Sequence, residues 1–279
     1  MRRLVVLIST IILVDTIFYA ALAPMLPTLS GDFGLSKGSS GFLVASYAAG
    51  TLVGSLPAGW AVSRFGARAV LVGGLLVMSA AGLLFAFADS IAVLDGARFV
   101  QGLGGACSWT AGLACLAQQA PLERRGAVIG TAIGAGIFGA QLGPVLGGVA
   151  EAVGRAPAFA AMAGLGVVLA VWATTAPPAP LVEERTTTLR TAVGDARFRA
   201  ALWVTLLPAT CFGVVEVLVP LRLDHLGAGA TAIAASFFVA ALLEAVVSPL
   251  TGRWADRHGM RGLLRFGLLA GALGMVAVA

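Results

Sequence analysis

"GWAVSRFGAR" at residues 59–68 returns later in the chain as "GRWADRHGMR" at residues 252–261. Gly59, Arg64, Gly66 and Arg68 of the first stretch stand in register with Gly252, Arg257, Gly259 and Arg261 of the second. Each stretch follows an apolar run long enough to cross a bilayer, and the same offset sets Pro27 opposite Pro220. A helical unit used twice explains this better than one irregular bundle. Parallel repeats about an axis along the membrane normal are one architecture of secondary transporters.

Working outward, the 279 residues are 59% hydrophobic and 11% charged, and the mean hydropathy is +0.96. That balance is far from a soluble domain and reads as an integral membrane protein. A spanning helix needs about 20 mostly apolar residues. Nine such runs fit, at 4–26, 41–61, 69–87, 93–117, 127–149, 156–176, 199–220, 229–250 and 263–279. The ninth is still apolar at Ala279, so a C-terminally truncated chain is expected. Arg2 and Arg3 ahead of the first run, with Ala21-Leu22-Ala23 at its end, have a signal-peptide outline. Asp15 interrupts the apolar core and Pro24 would follow the cut, so the run is read as a retained helix.

The polar stretch at 177–199 begins "PPAPLVEERTTTLR" and reads as a linker between two bundles. The expected organisation is a six-helix bundle at 1–176, a cytoplasmic linker at 177–198, and the first three helices of a second bundle at 199–279. Basic residues crowd one side of the spans, from Arg2 and Arg3 through Arg64, Arg68, Arg124 and Arg125 to Arg253, Arg257, Arg261 and Arg265. Only Lys37, Arg155 and Arg222 fall on the other side, while Arg98 lies inside the fourth run. Basic loops stay in the cytoplasm, which places the N-terminus there. The net charge of +5 is thereby topological, and the scattered arginines offer no nucleic-acid footprint. Cys107, Cys115 and Cys211 show no metal spacing, and His225 and His258 lie in loops, so no metal or cofactor is expected. A Walker loop and HExxH are absent from the sequence, which points to an ion gradient rather than ATP and to no enzyme activity.

The repeated loop resembles the G-x-L-A-D-R-x-G-R-K signature of the major facilitator superfamily. In that family the fourth helix carries an Arg followed by Gln-Gly, and "ARFVQGLGGA" (97–106) is similar to it through Arg98, Gln101 and Gly102. Its proton-coupled drug efflux antiporters add G-x-x-x-G-P-x-x-G-G in the fifth helix. "GAQLGPVLGG" (139–148) matches through Gly139, Gly143, Pro144, Gly147 and Gly148. The resemblance implies an all-α membrane fold of two pseudo-symmetric six-helix bundles, the second incomplete here. It implies export of small amphiphilic or cationic compounds by proton antiport, in a plasma or inner membrane, without an obligate protein partner. Ser63 stands where the loop signature has its acid, so gating is expected to rest more on Asp256 in the second copy.

The residues themselves sharpen this. Gly139, Gly143 and Gly147 recur at i, i+4 and i+8, a ridge without side chains onto which another helix can close. Pro144 removes a backbone hydrogen bond and bends the run. The two readings, a moving interface and plain glycine packing, both demand a partner helix, expected from the second bundle. Asp15 lies mid-span, where an unpaired charge costs several kcal/mol. It must meet an aqueous cavity, a cation or a proton, and competition of proton and cation for one carboxylate is enough to couple their movements. Phe18 and Tyr19 follow one turn on and offer aromatic surface for a lipophilic cation, and Gln101 joins them as a cavity residue. Glu244 poses the same choice as Asp15, and Glu216 lies one turn from the outer end of its run. Arg98 has two candidate partners, Asp95 or an acid on the first run. It cannot plausibly release its proton, so its expected role is to modulate a carboxylate's pKa. The alternatives are a facilitator for a sugar-like or other small metabolite and a non-transporting membrane fragment.

Overall fold

The computed structural model describes residues 1–176, 189–207, 210 and 230–278, and every regular element among them is helical. The elements are α1 (Arg2–Ala20), α2 (Leu22–Phe33), α3 (Lys37–Phe65), α4 (Ala67–Ala86), α5 (Ile91–Gln119), a 3-10 turn (Leu122–Arg124), α6 (Arg125–Val153), α7 (Arg155–Thr174), α8 (Leu189–Gly194), α9 (Ala230–His258) and α10 (Met260–Val278). Among the described residues, six helical stretches are long and apolar enough to cross a membrane: Arg2–Ala20, Gly38–Phe65, Ala67–Ala86, Leu122–Val153, Arg155–Thr174 and Phe238–His258. Residues 196–207 are helical; the rest of the seventh apolar run and Glu216 lie outside the described residues.

The first run proves longer than hydropathy suggests. Ala21 keeps helical angles (φ −63°, ψ −20°) between α1 and α2, and the helical path continues to Phe33. The joint has a covalent cause: Pro24 has no N–H to offer the carbonyl four residues back, that of Ala20. Gly34 ends α2 at φ 61°, in the left-handed region. Ser36 and Ser90 then cap α3 and α5 by accepting from the backbone N–H of Ser39 and Val93.

The sequence repeat is also a repeat of helix boundaries. α3 stops at Phe65, Gly66 turns at φ 82°, and α4 starts at Ala67; α9 stops at His258, Gly259 turns at φ 81°, and α10 starts at Met260. Both turns need a residue without a Cβ, which is why the glycines recur in register.

By packing, the chain divides into two compact units, Met1–Val182 with Glu244–Arg253, and Glu183–Leu243 with Trp254–Ala279. In the first unit α3 and α4 both lie on α5, α1 lies on α6, and α4 lies on α7. In lipid no hydrophobic force drives helices together, so close backbone approach carries the association. A Cβ on Gly50 would strike the carbonyl of Phe99, and one on Gly102 the carbonyl of Tyr47, which ties α3 to α5. Gly74 and Gly104 do the same for α4 and α5: a Cβ on Gly74 would lie 2.8 Å from the Gly104 carbonyl oxygen, and one on Gly104 2.7 Å from that of Gly74. Leu52, Leu56, Val168 and Val171 face outward, while Asp15, Arg98, Gln101 and Ser108 are buried. An apolar outside around a partly polar inside suits a protein whose solvent is lipid.

Pro144 sits inside an α6 that runs unbroken from Arg125 to Val153. The glycine ridge does find a partner helix, but it is α1 rather than one from the second repeat. A Cβ on Gly139 would strike Thr16 Oγ1 and the Leu13 carbonyl, and one on Gly143 would strike Ala20. A second row on the same helix meets Glu244–Arg253: a Cβ on Gly130 would lie 2.7 Å from the Ser248 carbonyl, and one on Gly134 2.8 Å from that of Ala245. There Ser248 Oγ donates to the Gly130 carbonyl at 3.0 Å. Gly252 closes the row against the carbonyl of Gly126.

Candidate functional site

The α1 stretch "LVDTIFYA" (13–20) carries both the mid-span acid and the joint, and the site forms around them. Asp15 is 1% exposed. Tyr47 on α3 donates its hydroxyl to Asp15 Oδ1 at 2.9 Å. Trp109 on α5 donates its indole N–H to Asp15 Oδ2 at 2.6 Å. Each carboxylate oxygen thus has a donor, and the two donors come from different helices. Gly105 makes the room: a Cβ there would lie 2.9 Å from Asp15 Oδ1 and 2.5 Å from the Tyr47 hydroxyl.

Arg98, 0% exposed, lies beside this acid without pairing to it. Its Nη1 donates to the Phe18 carbonyl at 3.1 Å and to Gln101 Oε1 at 2.8 Å, and its Nη2 to the Tyr19 carbonyl at 2.9 Å. Among the described residues it bonds neither Asp95 nor Asp15, so both carboxylate partners expected for it give way to backbone. The reason is the joint at Ala21. A helix C-terminus gathers carbonyls with partial negative charge, and a guanidinium satisfies two of them at once. The Arg98 guanidinium also lies 4.9 Å from the centroid of the Tyr47 ring. Tyr47 therefore touches the acid with its hydroxyl and the base with its face.

Tyr19 stacks on Tyr47 with ring centroids 5.1 Å apart and, 40% exposed, is the most open member of the cluster. Phe18 turns away: its ring is fully buried, 6.5 Å from that of Phe159, and only its carbonyl reaches the site. Gln101 is buried, its oxygen on Arg98 and its Nε2 without a partner. Glu244 is exposed on α9. Among the described residues, no three His, Cys, Asp or Glu come together as a metal site would need.

The loop residues occupy the helix ends. Ser63 donates back to the Trp60 carbonyl at 2.8 Å, and Arg68 Nη1 donates to the Ala176 carbonyl at 3.3 Å. Arg64 and Arg257 are exposed and Asp256 is half-buried, while the side chain of Arg261 lies outside the described residues. The two copies differ in packing: a Cβ on Gly59 would meet open space, whereas Gly252 is closed against Gly126. Within the helix 139–148 stretch, Gly139, Gly143 and Gly147 are buried, and Pro144 and Gly148 are exposed.

Tyr47 and Trp109 escape a reading of the sequence. One signal was available: Tyr19 and Tyr47 are the chain's two tyrosines, and both stand at this cluster. A phenol inside an apolar span wants a partner for its hydroxyl.

Comparison with known proteins places the chain. The family model described as Major Facilitator Superfamily matches residues 8–279. The chain is 37% identical to the MFS-type transporter ppzB of Metarhizium majus over 164 residues, 56% of this chain and 35% of that protein. It is 35% identical to the human vesicular acetylcholine transporter over 150 residues, 53% of this chain and 27% of the relative. Multidrug resistance protein 2 of Bacillus subtilis is 32% identical over 159 residues, 55% of this chain and 40% of that protein. These matches span well under half the length of each relative. Among solved structures, the proton:xylose symporter XylE superposes with a TM-score of 0.71 at 17% identity, covering 94% of this chain and 70% of that one. The human organic anion transporter MFSD10 superposes with the same TM-score of 0.71 at 18% identity, covering 90% and 72%. At such identities the likeness is one of fold.

Proposed function

Because this chain belongs to the major facilitator superfamily, we propose that it exports small amphiphilic or cationic compounds in exchange for protons, with Asp15 as the residue for which proton and cation compete. The observation that carries this reading is the Asp15 carboxylate, buried mid-span with a donor on each oxygen and the Arg98 guanidinium nearby. A carboxylate so enclosed is held by neutral donors, which a cation or a proton can supplant. Tyr19, 40% exposed, supplies an aromatic face for a cation on the open side. Membership of the relatives supports the substrate class only loosely, since their names range from vesicular acetylcholine to multidrug and sugar-acid transporters. The same reading takes residues 1–176 as one bundle and 199–279 as part of a second, joined through 177–198. It sets the N-terminus in the cytoplasm of a plasma or inner membrane. Glu216 and Glu244 would be further acids on the path, and Asp256 a gate contact.

Arg98 Nε and Gln101 Nε2, both buried and without a partner, favour one second reading, a substrate rich in acceptors such as a sugar or an organic acid. Inverted membrane vesicles with an acidic interior and a pH-sensitive dye test both. Loss of the gradient on adding lipophilic cations, absent with Asp15→Asn, supports antiport. Response to sugars or organic acids instead supports the second reading, and a gradient indifferent to every compound defeats proton coupling.

A further inference from the structure

The two oxygens of Asp15 are held by unlike donors. The indole N–H of Trp109 can only donate, so while that 2.6 Å contact lasts, Oδ2 must be an acceptor. The hydroxyl of Tyr47 can donate or accept, so the 2.9 Å contact at Oδ1 survives reversal of its direction. We infer that the proton taken up at this site is bound by Oδ1, with Tyr47 as the partner that reverses and Trp109 as the anchor that does not. The inference rests on the proposed role of Asp15 as a proton-exchanging group and adds which atom takes the proton and which two residues position it.

The step is a proton transfer and nothing else. A proton from the aqueous side adds to Oδ1; the Tyr47 O–H···Oδ1 bond is replaced by Oδ1–H···Oη of Tyr47; Oδ2 becomes the carbonyl oxygen and keeps the indole N–H. The surroundings favour this order. Trp109 is backed by α6, where a Cβ on Gly136 would lie 3.1 Å from the indole Cη2, so the ring has a wall behind it. Tyr47 has its face on Arg98 and Tyr19, contacts that do not fix the torsion of its hydroxyl hydrogen. The titratable and charged groups that meet Asp15 and its partners are Tyr47 from α3, Arg98 from α5 and Tyr19 from α1 itself. α6 presents Gly136, Gly139 and Gly143 to α1 and Trp109.

The asymmetry has a spectroscopic consequence that a merely structural role would not produce. Infrared difference spectra of the whole chain in nanodiscs, with acidification, should show a protonated carboxyl band that Asp15→Asn removes. Over the same pH range, the ¹⁵N-indole resonance assigned by its loss in Trp109→Phe should keep its hydrogen-bonded position. In Tyr47→Phe, which keeps the ring and removes the reversible partner, the indole resonance should again hold its position, while the protonated carboxyl band shifts to higher frequency, because the proton on Oδ1 has lost its acceptor. An indole signal that moves to the free position in the parent, in step with the carboxyl band, would overturn the assignment to Oδ1 while leaving proton exchange at Asp15 intact. A Tyr47→Phe carboxyl band at the parent's frequency would likewise overturn the part given to Tyr47. Absence of any Asp15-dependent carboxyl band would instead remove the proton-exchange reading, and the inference with it.

Discussion

Helix α1 is held on its two sides by opposite means. Toward α3 and α5 it is held by side chains: Tyr47 and Trp109 on Asp15, and Arg98 on the carbonyls of Phe18 and Tyr19. Toward α6 it is held by their absence, where Gly139 and Gly143 admit Thr16, Leu13 and Ala20 to direct backbone contact. The polar side is specific in atoms, so a change of one group removes one bond. The glycine side is specific in space, so a change of one methyl group displaces a helix. The expectation is that function fails first on the polar side and assembly first on the glycine side.

The largest effect should come from Gly143→Val, whose branched side chain must occupy the position of Ala20. Overpacking costs about 1–3 kcal/mol or more where the backbone must move. Fluorescence-detected size exclusion should show the monodisperse peak lost, and a normal peak would break the comparison at once. Next in size, Asp15→Asn should keep that peak and lose compound-dependent proton movement altogether. If it fails to assemble as well, the polar side is as structural as the glycine side.

Gly105→Ala sharpens the contrast, because it imports the glycine rule into the polar side. Its methyl group would press on Asp15 and on the Tyr47 hydroxyl, so transport should fall by about tenfold or more, equivalent to about 1.4 kcal/mol, while the protein remains folded. Transport assays beside thermal melting would separate the two. Tyr47→Phe leaves Oδ1 of a buried carboxylate without its donor, a loss of about 1–3 kcal/mol that should appear as a lower melting temperature. The smallest effect belongs to Gly148→Ala. Nothing stands within 4 Å of a Cβ there, and the helix gains up to about 1 kcal/mol from replacing glycine. Its melting temperature should hold or rise.

That last case shows where reading a sequence stops. Gly139, Gly143, Gly147 and Gly148 look alike in the pattern "GAQLGPVLGG", yet Gly143 is closed against Ala20 and Gly148 is open. Helix periodicity gives the face but not the neighbour, which is why the partner was expected from the second repeat and proves to be α1. The repeat itself was legible, because a left-handed turn demands glycine and the demand is the same at Gly66 and Gly259. Asp15 and Arg98 were legible because charge inside an apolar run has few explanations. Their partners were not. Phe18 and Tyr19 follow Asp15 by three and four residues, but at about 100° per residue they diverge to opposite sides of it, and only Tyr19 keeps its ring at the site. Trp109 lies far along the chain, in a run where apolar packing and a carboxylate contact produce the same periodicity.

The second glycine row, Gly126, Gly130 and Gly134 against Ala245, Ser248 and Gly252, has a mechanical side. Surfaces that meet as backbone on backbone have no knobs to lift over one another, unlike interdigitated leucines. Such a seam behaves as a plain bearing rather than a gear: it resists separation through close contact, yet a shift along it meets a low ridge. A side-chain bond across it, Ser248 to the Gly130 carbonyl, then acts as a detent that marks one stopping position.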